Sequence, residues 1–183
     1  MSNQLIKQMK PQIIFKKGRQ GELTLDAIKG IAVPRINGKA ILVYPKYKKC
    51  RLLDLSRFDD WKEPGHSKLN ALFEDTDLCK ERTDELLKLD SPAAKFVRSI
   101  GKQFNIPSLL TDGTIKKYEK EINALAKQIE GADLLPEGSV LWSCLRYDAS
   151  TAWLVAGDDN GFFIGNYVLY NTFVVVPVSV NEA

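Results

Sequence analysis

Few side chains in this sequence could act as nucleophiles, bases or metal ligands, and those few lie far apart. The one histidine, His66, follows Pro64 and Gly65, a setting typical of an exposed loop. A histidine-based catalytic triad, or a metal site with several histidines, therefore has no support. Cys144 has no base or orienting partner near it in the sequence, so we interpret it as a strand residue rather than a nucleophile.

Other motifs that carry chemistry are also missing. The cysteines, Cys50, Cys79 and Cys144, are odd in number and widely spaced, which fits neither a disulfide framework nor a Cys-x-x-Cys metal site and predicts reduced thiols. No glycine-rich phosphate loop is present, and Asp158–Gly161 has the composition of a turn without the spacing of a calcium loop. We therefore predict no catalytic residue, no metal and no cofactor, and a protein that is not an enzyme.

Size, charge and hydropathy describe an ordinary globular chain. Its 183 residues suit one compact domain, and a net charge of +3 is too mild to predict nucleic-acid binding. The N-terminus lacks the apolar segment of a signal peptide, so we expect synthesis in the cytoplasm, with association with a virion left open. The longest apolar run, Phe173–Val178, contains Pro177 and is far shorter than the ~20 residues that span a bilayer, so we expect no membrane insertion.

The pattern of apolar residues changes twice along the chain. Residues 1–60 carry short β-rich runs and an Asn37-Gly38 hairpin signal; the runs are Ile13–Phe15, Ile31–Val33, Ala40–Tyr44 and Arg51–Leu55. Residues 66–131 have helical spacing, with one helix capped by Ser91 and ending at Gly101, and a second, continuous helix from Ile115 to Ile129. Residues 138–180 are rich in β-branched and aromatic residues. The predicted fold class is α+β, with helices packed on short antiparallel sheets.

Short motifs in the second half of the chain follow one another in a characteristic order. They are Thr83–Leu87, Ser91–Ala94, Asn105–Leu109, Ile122–Leu125, Glu130–Gly131, Leu141–Ser143, Ala152–Trp153 and Val175–Val178. In this order they resemble the variable proteins of diversity-generating retroelements, in the subgroup related to formylglycine-generating enzymes. Cys144 and Val176 depart from the family pattern, which has serine and arginine there. The paired catalytic cysteines of the enzyme relatives have no counterpart in these motifs, so their activity is not carried over.

The resemblance implies a fold, a surface and a partner. Residues 61–183 should form a C-type-lectin-like domain, and residues 1–60 either complete the same fold or form a small appendage. The variable region, at about residues 142–180, should bind a macromolecular ligand, most simply a protein. Its expected contact residues are Cys144, Leu145, Arg146, Asp148, Leu154, Ala156, Asp158, Phe162, Phe163, Gly165, Tyr167, Leu169 and Tyr170. Of the adjacent Phe162 and Phe163, one should face the core.

A rigid framework has to hold such a surface. We expect Trp142 and Trp153 to be core anchors that pack on the helices around Val97 and Ile122. Truncating a buried anchor of this size should unfold the domain. The oligomeric state stays open at this point.

The amino-acid usage of the last forty residues offers an internal test of the resemblance. In the family, diversified codons cannot become Lys, Glu, Gln, Met or Trp. The first 142 residues hold 19 Lys, 9 Glu, 6 Gln and 2 Met, about one residue in four, whereas Ser143 to Asn181 hold none of these four types. Strand composition disfavours charge, but Arg146 and Asp148 are present there, so charge as such is not excluded. Trp153 is the exception, and it falls on a framework motif.

Two other kinds of protein remain as alternatives. The first is a structural component of a phage tail or an adhesin whose C-terminal end does not vary. The second is an enzyme of the formylglycine-generating type, which a pocket with a metal or with paired thiols would favour. The single cysteine in the C-terminal half, Cys144, argues against the enzyme.

Overall fold

The computed structural model describes residues 10–35, 40–62, 79–148, 150–158 and 161–179, with the backbone alone for Asp158 and for residues 161–163. Within these residues two β-sheets and four α-helices form, which confirms the predicted α+β class. Asn37-Gly38 and His66 lie outside the described residues.

The smaller sheet joins the two ends of the chain. Its strands are β1 (Gln12–Phe15), β2 (Ile28–Pro34), β3 (Ala40–Val43) and β9 (Val178–Ser179), antiparallel in the order β1-β2-β3-β9. Gly30 in β2 has φ +154°, and a Cβ atom there would lie 2.7 Å from the carbonyl oxygen of Val43. Only glycine permits this close approach of β2 to β3.

The larger sheet contains most of the C-terminal segment. Its strands are β4 (Lys48–Arg51), β5 (Leu141–Arg146), β6 (Thr151–Asp158), β7 (Gly161–Val168) and β8 (Thr172–Val175), in the order β4-β8-β5-β6-β7. Neighbours are antiparallel except β5 and β8, which are parallel. The strand expected at Arg51–Leu55 is instead β4, which ends at Arg51 because Leu52 and Leu53 donate their N–H groups to Leu169.

Four α-helices and a short 3₁₀ helix accompany the sheets in the described part of the chain. The 3₁₀ helix spans Leu55–Asp60, and the α-helices are α1 (Cys79–Lys88), α2 (Pro92–Ile100), α3 (Leu109–Lys117) and α4 (Glu119–Ala126). The predicted start of α2 is confirmed, since the Ser91 hydroxyl accepts a hydrogen bond from the N–H of Ala94 at 3.1 Å. Gly101 follows the last residue of α2, as predicted.

The prediction of one continuous helix from Ile115 to Ile129 is wrong. The chain leaves the helical conformation at Tyr118, where φ is −109° and ψ is 18°. The N–H of Tyr118 is shared between the carbonyls of Thr114 and Ile115, both at 3.2 Å, which tightens the last turn of α3 before α4 begins at Glu119. Apolar spacing alone does not register this break, because Ile115 and Ile122 both stay buried in one cluster.

Two hydrophobic clusters pack on the larger sheet. The first cluster contains Trp142, Trp153 and Val97, and the second contains Ile115 and Ile122. Adjacent residues in the strands enter different clusters: Leu141 the second and Trp142 the first, Val174 the second and Val175 the first. Strands β5 and β8 are therefore covered on both faces.

The tryptophan anchors are confirmed as core residues. Trp142 is fully buried and donates its indole N–H to the carbonyl of Cys50 at 3.1 Å, and Trp153 is 6% exposed. Both share a cluster with Val97, as expected. Ile122, however, belongs to the second cluster, because α4 packs against β2 rather than against the strands that carry the tryptophans.

No helix in the described ranges combines the length and the apolar character that crossing a bilayer would require.

Candidate ligand-binding surface

The β6–β7 hairpin carries many of the predicted contact residues. Its strands pair from Thr151 with Val168 to Asp158 with Gly161 without a break in register. Strand β6 lies inside the sheet and is also covered by α3, whereas β7 is the edge strand of the sheet as far as the described residues extend. Accordingly, Asn166 and Tyr167 on β7 are exposed, whereas residues 152–156 of β6 are buried.

Five of the predicted contact residues are buried, so their prediction as surface residues is wrong. They are Cys144, Leu145, Leu154, Ala156 and Leu169. The prediction assumed that the solvent faces one side of the C-terminal strands, but β5 has a hydrophobic cluster on each face and α3 covers β6. Leu169 is held by backbone hydrogen bonds, its N–H to Ser150 and its carbonyl from Leu52 and Leu53.

The remaining predicted residues fall into two groups. Tyr167 is 48% exposed, Tyr170 is 46% exposed, and Asp148 is exposed as well, while Arg146 and Gly165 are half-buried. The side chains of Asp158, Phe162 and Phe163 lie outside the described part of the chain. The expectation that one of the two phenylalanines faces the core therefore stays a prediction.

The exposed tyrosines belong to a larger aromatic surface, which consists of Leu55, Phe58, Tyr167, Tyr170 and Phe173. Tyr170 stacks on Phe58 with ring centroids 6.4 Å apart and an interplanar angle of 16°. Tyr167 meets Phe173 edge to face at 5.5 Å. Leu55 is 65% exposed and precedes Phe58 by three residues in the 3₁₀ helix, where side chains three apart lie on the same side.

Sequence reasoning missed Leu55, Phe58 and Phe173 in this surface. Leu55 and Phe58 stand more than 100 residues before Tyr170, and no local pattern links them to it. The link is the hydrogen bonding of Leu52 and Leu53 to Leu169, which brings the 3₁₀ helix beside the turn after β7. A cluster of exposed aromatic and aliphatic side chains is an observed mark of protein-binding surfaces.

Arg146 and Asp148 form hydrogen bonds with nearby backbone groups beside this surface. Arg146 donates from Nε to the carbonyl of Asp148 at 2.6 Å and from Nη1 to the carbonyl of Trp61, and its guanidinium lies over the Trp61 ring, 5.5 Å from the centroid. The Asp148 carboxylate accepts hydrogen bonds from the N–H groups of Ser150 at 2.9 Å and Thr151 at 2.8 Å. Partial burial opposes the shift, but these hydrogen bonds lower the pKa of Asp148.

A buried polar cluster under β5 contains side chains that the sequence did not connect. It consists of Cys79, Arg82, Ser108, Asp112 and Cys144, all buried. Within this cluster, Cys144 and Ser108 lie close enough to the Cys79 thiol to act on it as hydrogen-bond donors. The hydrogen bond from Cys144 lowers the pKa of Cys79, burial opposes this, and Ser108 and Arg82 lower it further.

Asp112 is the unusual member of this cluster. Neither of its carboxyl oxygens has a hydrogen-bond partner among the described residues, and the side chain is fully buried. Burial raises the pKa of Asp112 well above its ordinary value, and the neighbouring Cys79 raises it further, against the effect of Lys116.

The buried cluster does not form an open reaction site. Among the described residues, no three His, Cys, Asp or Glu side chains come together in a way that would hold a metal ion. An open pocket of about 560 Å³ lies elsewhere, between Tyr47, Lys49, Leu134 and Pro136, and neither thiol lines it. Paired thiols were one of the two features expected of the enzyme alternative, and this pair is buried and does not line the described pocket.

Comparison with known proteins gives one structural likeness. No family model matches the chain, and no curated protein matches it. The fold is similar to the crystal structure of a fimbrial protein from Bacteroides ovatus, with a TM-score of 0.63 and 12% sequence identity over 91% of this chain. The match spans 47% of that protein, about half of its length. At this identity the likeness concerns the fold alone.

Proposed function

We propose that this chain is a non-catalytic binding protein that contacts a protein ligand through its aromatic surface. The observation that carries the proposal is the exposure of Leu55, Tyr167 and Tyr170 at 65%, 48% and 46%. Each tyrosine ring is supported by a phenylalanine, Tyr170 by Phe58 and Tyr167 by Phe173. Exposing a large apolar side chain to water is unfavourable, and a partner that covers it removes this free-energy cost. Tyrosine is also among the residues that most often dominate binding at protein interfaces.

The chemistry of the two tyrosines suits a protein ligand. Each offers a flat ring with few rotatable bonds, so ordering it on binding costs little conformational entropy. Within the described part of the chain, neither phenol hydroxyl of Tyr167 or Tyr170 takes part in a hydrogen bond, so both can bond to a partner. The rings themselves are held in place by Phe58 and Phe173, which limits the reorganisation needed on binding.

We further propose that the surface is diversified by a retroelement, as the resemblance to the variable proteins implies. Six described residues after Trp142 are exposed: Asp148, Ser150, Asn166, Tyr167, Tyr170 and Thr172. All six are residue types that the diversified codons allow. Burial explains why lysine and glutamate are missing from the buried positions of this segment. It does not explain their absence from the exposed ones, which supports the proposal.

The first test concerns the DNA. Diversification requires a near-copy of the codons for residues 142–180 beside a reverse-transcriptase gene, with differences from this chain only at adenines of the copy. We expect sequencing of the flanking DNA to find that copy. A flanking region without it would refute diversification and leave the binding proposal standing.

The second test compares two libraries of the displayed protein. One library randomises four exposed codons, Asn166, Tyr167, Tyr170 and Thr172; the control randomises four buried ones, Leu145, Leu154, Ala156 and Leu169. We expect most members of the first library to resist protease as the parent does, and selection against an immobilised probe protein such as lysozyme to yield binders. The control library should lose protease resistance and yield none. Equal losses in both libraries would contradict the proposed division between surface and framework.

The fold likeness favours a second candidate, a structural or adhesin component with an invariant C-terminal end. A fimbrial protein shares this fold at a TM-score of 0.63, although identity is only 12%. The two candidates differ in what related strains should carry. Invariant residues at positions 166, 167, 170 and 172 across isolates would support the structural component, and variation confined to such positions would support diversification.

A further inference from the structure

Two of the three cysteines, distant in sequence, meet at a junction between α1 and β5. Cys79 lies in α1, and Cys144 lies in the middle of β5. Both are buried in the first hydrophobic cluster, at 1% and 0% exposure, and both are reduced. The helix that carries Cys79 packs against β5, and Cys144 acts on the Cys79 thiol as a neighbouring hydrogen-bond donor.

The segment of residues 106–108 lies between the backbones of Cys79 and Cys144 and is linked to both by hydrogen bonds. On the α1 side, the Thr83 hydroxyl donates to the Cys79 carbonyl at 2.6 Å and accepts from the N–H of Ile106 at 3.0 Å. On the β5 side, the N–H of Cys144 donates to the carbonyl of Pro107 at 2.8 Å. The hydrogen bonds fix α1 and β5 relative to each other, so the meeting of the thiols is built into the backbone.

We propose that Cys79 and Cys144 form an intramolecular disulfide site that links α1 to β5 when the protein meets a low-molecular-weight disulfide such as oxidised glutathione. In the first step the Cys79 thiolate attacks one sulfur of the small disulfide and releases one small thiol. In the second step the Cys144 thiolate attacks the Cys79 sulfur of the mixed disulfide and releases the second small thiol. The protein loses two electrons and two protons, and the small disulfide gains them.

Cys79 is the better attacking thiol of the two. It accepts hydrogen bonds from Cys144 and Ser108 and lies near the Arg82 cation, all of which favour the thiolate. The neighbouring Asp112 does not repel this thiolate as long as its carboxyl group is neutral. Because both sulfurs are buried, the reaction requires a local opening of the junction, and we expect it to be slow compared with that of an exposed thiol.

The link should stabilise the framework below the aromatic surface. It closes a loop of more than 60 residues, which restricts the unfolded chain strongly. We expect the melting temperature of the oxidised protein to exceed that of the reduced protein by about 5–15 °C. Cys50 lies in the same cluster but has no described thiol partner, so it serves as the internal control.

The experiment measures how readily the disulfide forms in the folded and in the unfolded chain. Wild-type protein and C50A are equilibrated in glutathione redox buffers with and without urea, quenched with acid, alkylated and mapped by mass spectrometry. We expect the equilibrium constant for the Cys79–Cys144 bond to be about 30-fold to 1000-fold larger in the folded chain than in urea. C79S and C144S should form no intramolecular disulfide and show no rise in melting temperature on oxidation.

Two results would overturn the proposal. One is a folded-to-unfolded ratio of one or less, which would mean that the native junction resists the bond. The other is a map in which Cys50, or a second chain, is the partner of Cys79 in the folded protein. The wild-type ratio decides the matter even if C50A does not fold.

Discussion

One phenylalanine ring separates the framework of this protein from its surface. Trp142 meets Phe173 edge to face at 5.0 Å, and Tyr167 meets the same ring edge to face at 5.5 Å. Trp142 is fully buried with its indole N–H hydrogen-bonded, whereas Tyr167 is 48% exposed. Two aromatic residues with nearly the same contact therefore belong to different parts of the molecule.

The difference comes from the position of each strand in the sheet. Strand β5 lies at the centre with a hydrophobic cluster on each face, and β7 lies at the edge with a partner on one side. A side chain on β5 cannot change without leaving a cavity or a buried polar group, whereas one on β7 can. The free energy of unfolding should therefore respond very differently to equal truncations in the two regions.

The largest effect should follow from Trp142→Ala. The variant loses a fully buried indole and leaves the carbonyl of Cys50 without its donor. We expect a loss of about 3–5 kcal/mol in the free energy of unfolding, which is a large part of the stability of a domain. Urea unfolding followed by circular dichroism measures it. Trp142→Phe is the control that keeps a smaller aromatic ring and loses the hydrogen bond, and its loss should be smaller than that of Trp142→Ala. A loss below about 1 kcal/mol would place Trp142 outside the framework.

Leu145→Ala tests the corrected part of the binding surface. Leu145 was expected to touch a ligand but is fully buried in the first cluster. We expect a loss of about 2–4 kcal/mol in the free energy of unfolding. The matched control is Val168→Ala on β7, a half-buried position, which should cost clearly less. Equal losses at the two positions would remove the distinction between centre and edge.

The sequence predicted part of the framework and little of the surface. The α+β class, the Ser91 cap and the burial of Trp142 follow from local patterns that tertiary contacts reinforce. The exposure of individual residues in β5 and β6 does not, because it depends on how many layers cover a strand. Alternation of residue types predicts two faces but does not tell whether both are covered.

Long-range contacts account for the other failures. Phe58 stacks on Tyr170, and Cys79 meets Cys144, across separations that no spacing rule relates. The break at Tyr118 was missed for a different reason, since apolar spacing continues through it from Ile115 to Ile122. The end of α3 is visible only in the backbone conformation of Tyr118.

A carboxyl group in each region should respond to pH in opposite directions. The pKa of Asp112 is raised in the folded protein, so its contribution to stability is complete below the unfolded pKa of about 3.9 and is lost as the pH rises. Above that pH the folded state retains a proton that the unfolded state releases, which lowers the free energy of unfolding by up to about 1.4 kcal/mol per pH unit. Asp112→Asn should remove this slope.

The pH test compares wild-type protein and Asp112→Asn by urea unfolding between pH 4.5 and 6.5. Asp148 provides the contrast, because its pKa is lowered and its contribution is present above the unfolded pKa and lost as the pH falls. Asp148→Asn should therefore leave the slope above pH 4.5 as it is in wild-type protein. Parallel curves for wild-type protein and Asp112→Asn would show that the buried carboxyl is ionised or reaches solvent.

The smallest loss of stability should follow from Tyr170→Ala, which is the most direct contrast to Trp142→Ala. The ring of Tyr170 is 46% exposed and stacks on Phe58 at 6.4 Å, so its removal leaves no closed cavity. We expect a loss below about 1 kcal/mol and a shift in melting temperature of at most a few degrees. Tyr170→Phe, which keeps the stacked ring, should match wild-type protein in both measurements. If Tyr170→Ala instead unfolds the domain as Trp142→Ala does, Phe58 and Tyr170 belong to the core, and the aromatic surface ceases to be a place where side chains are free to differ.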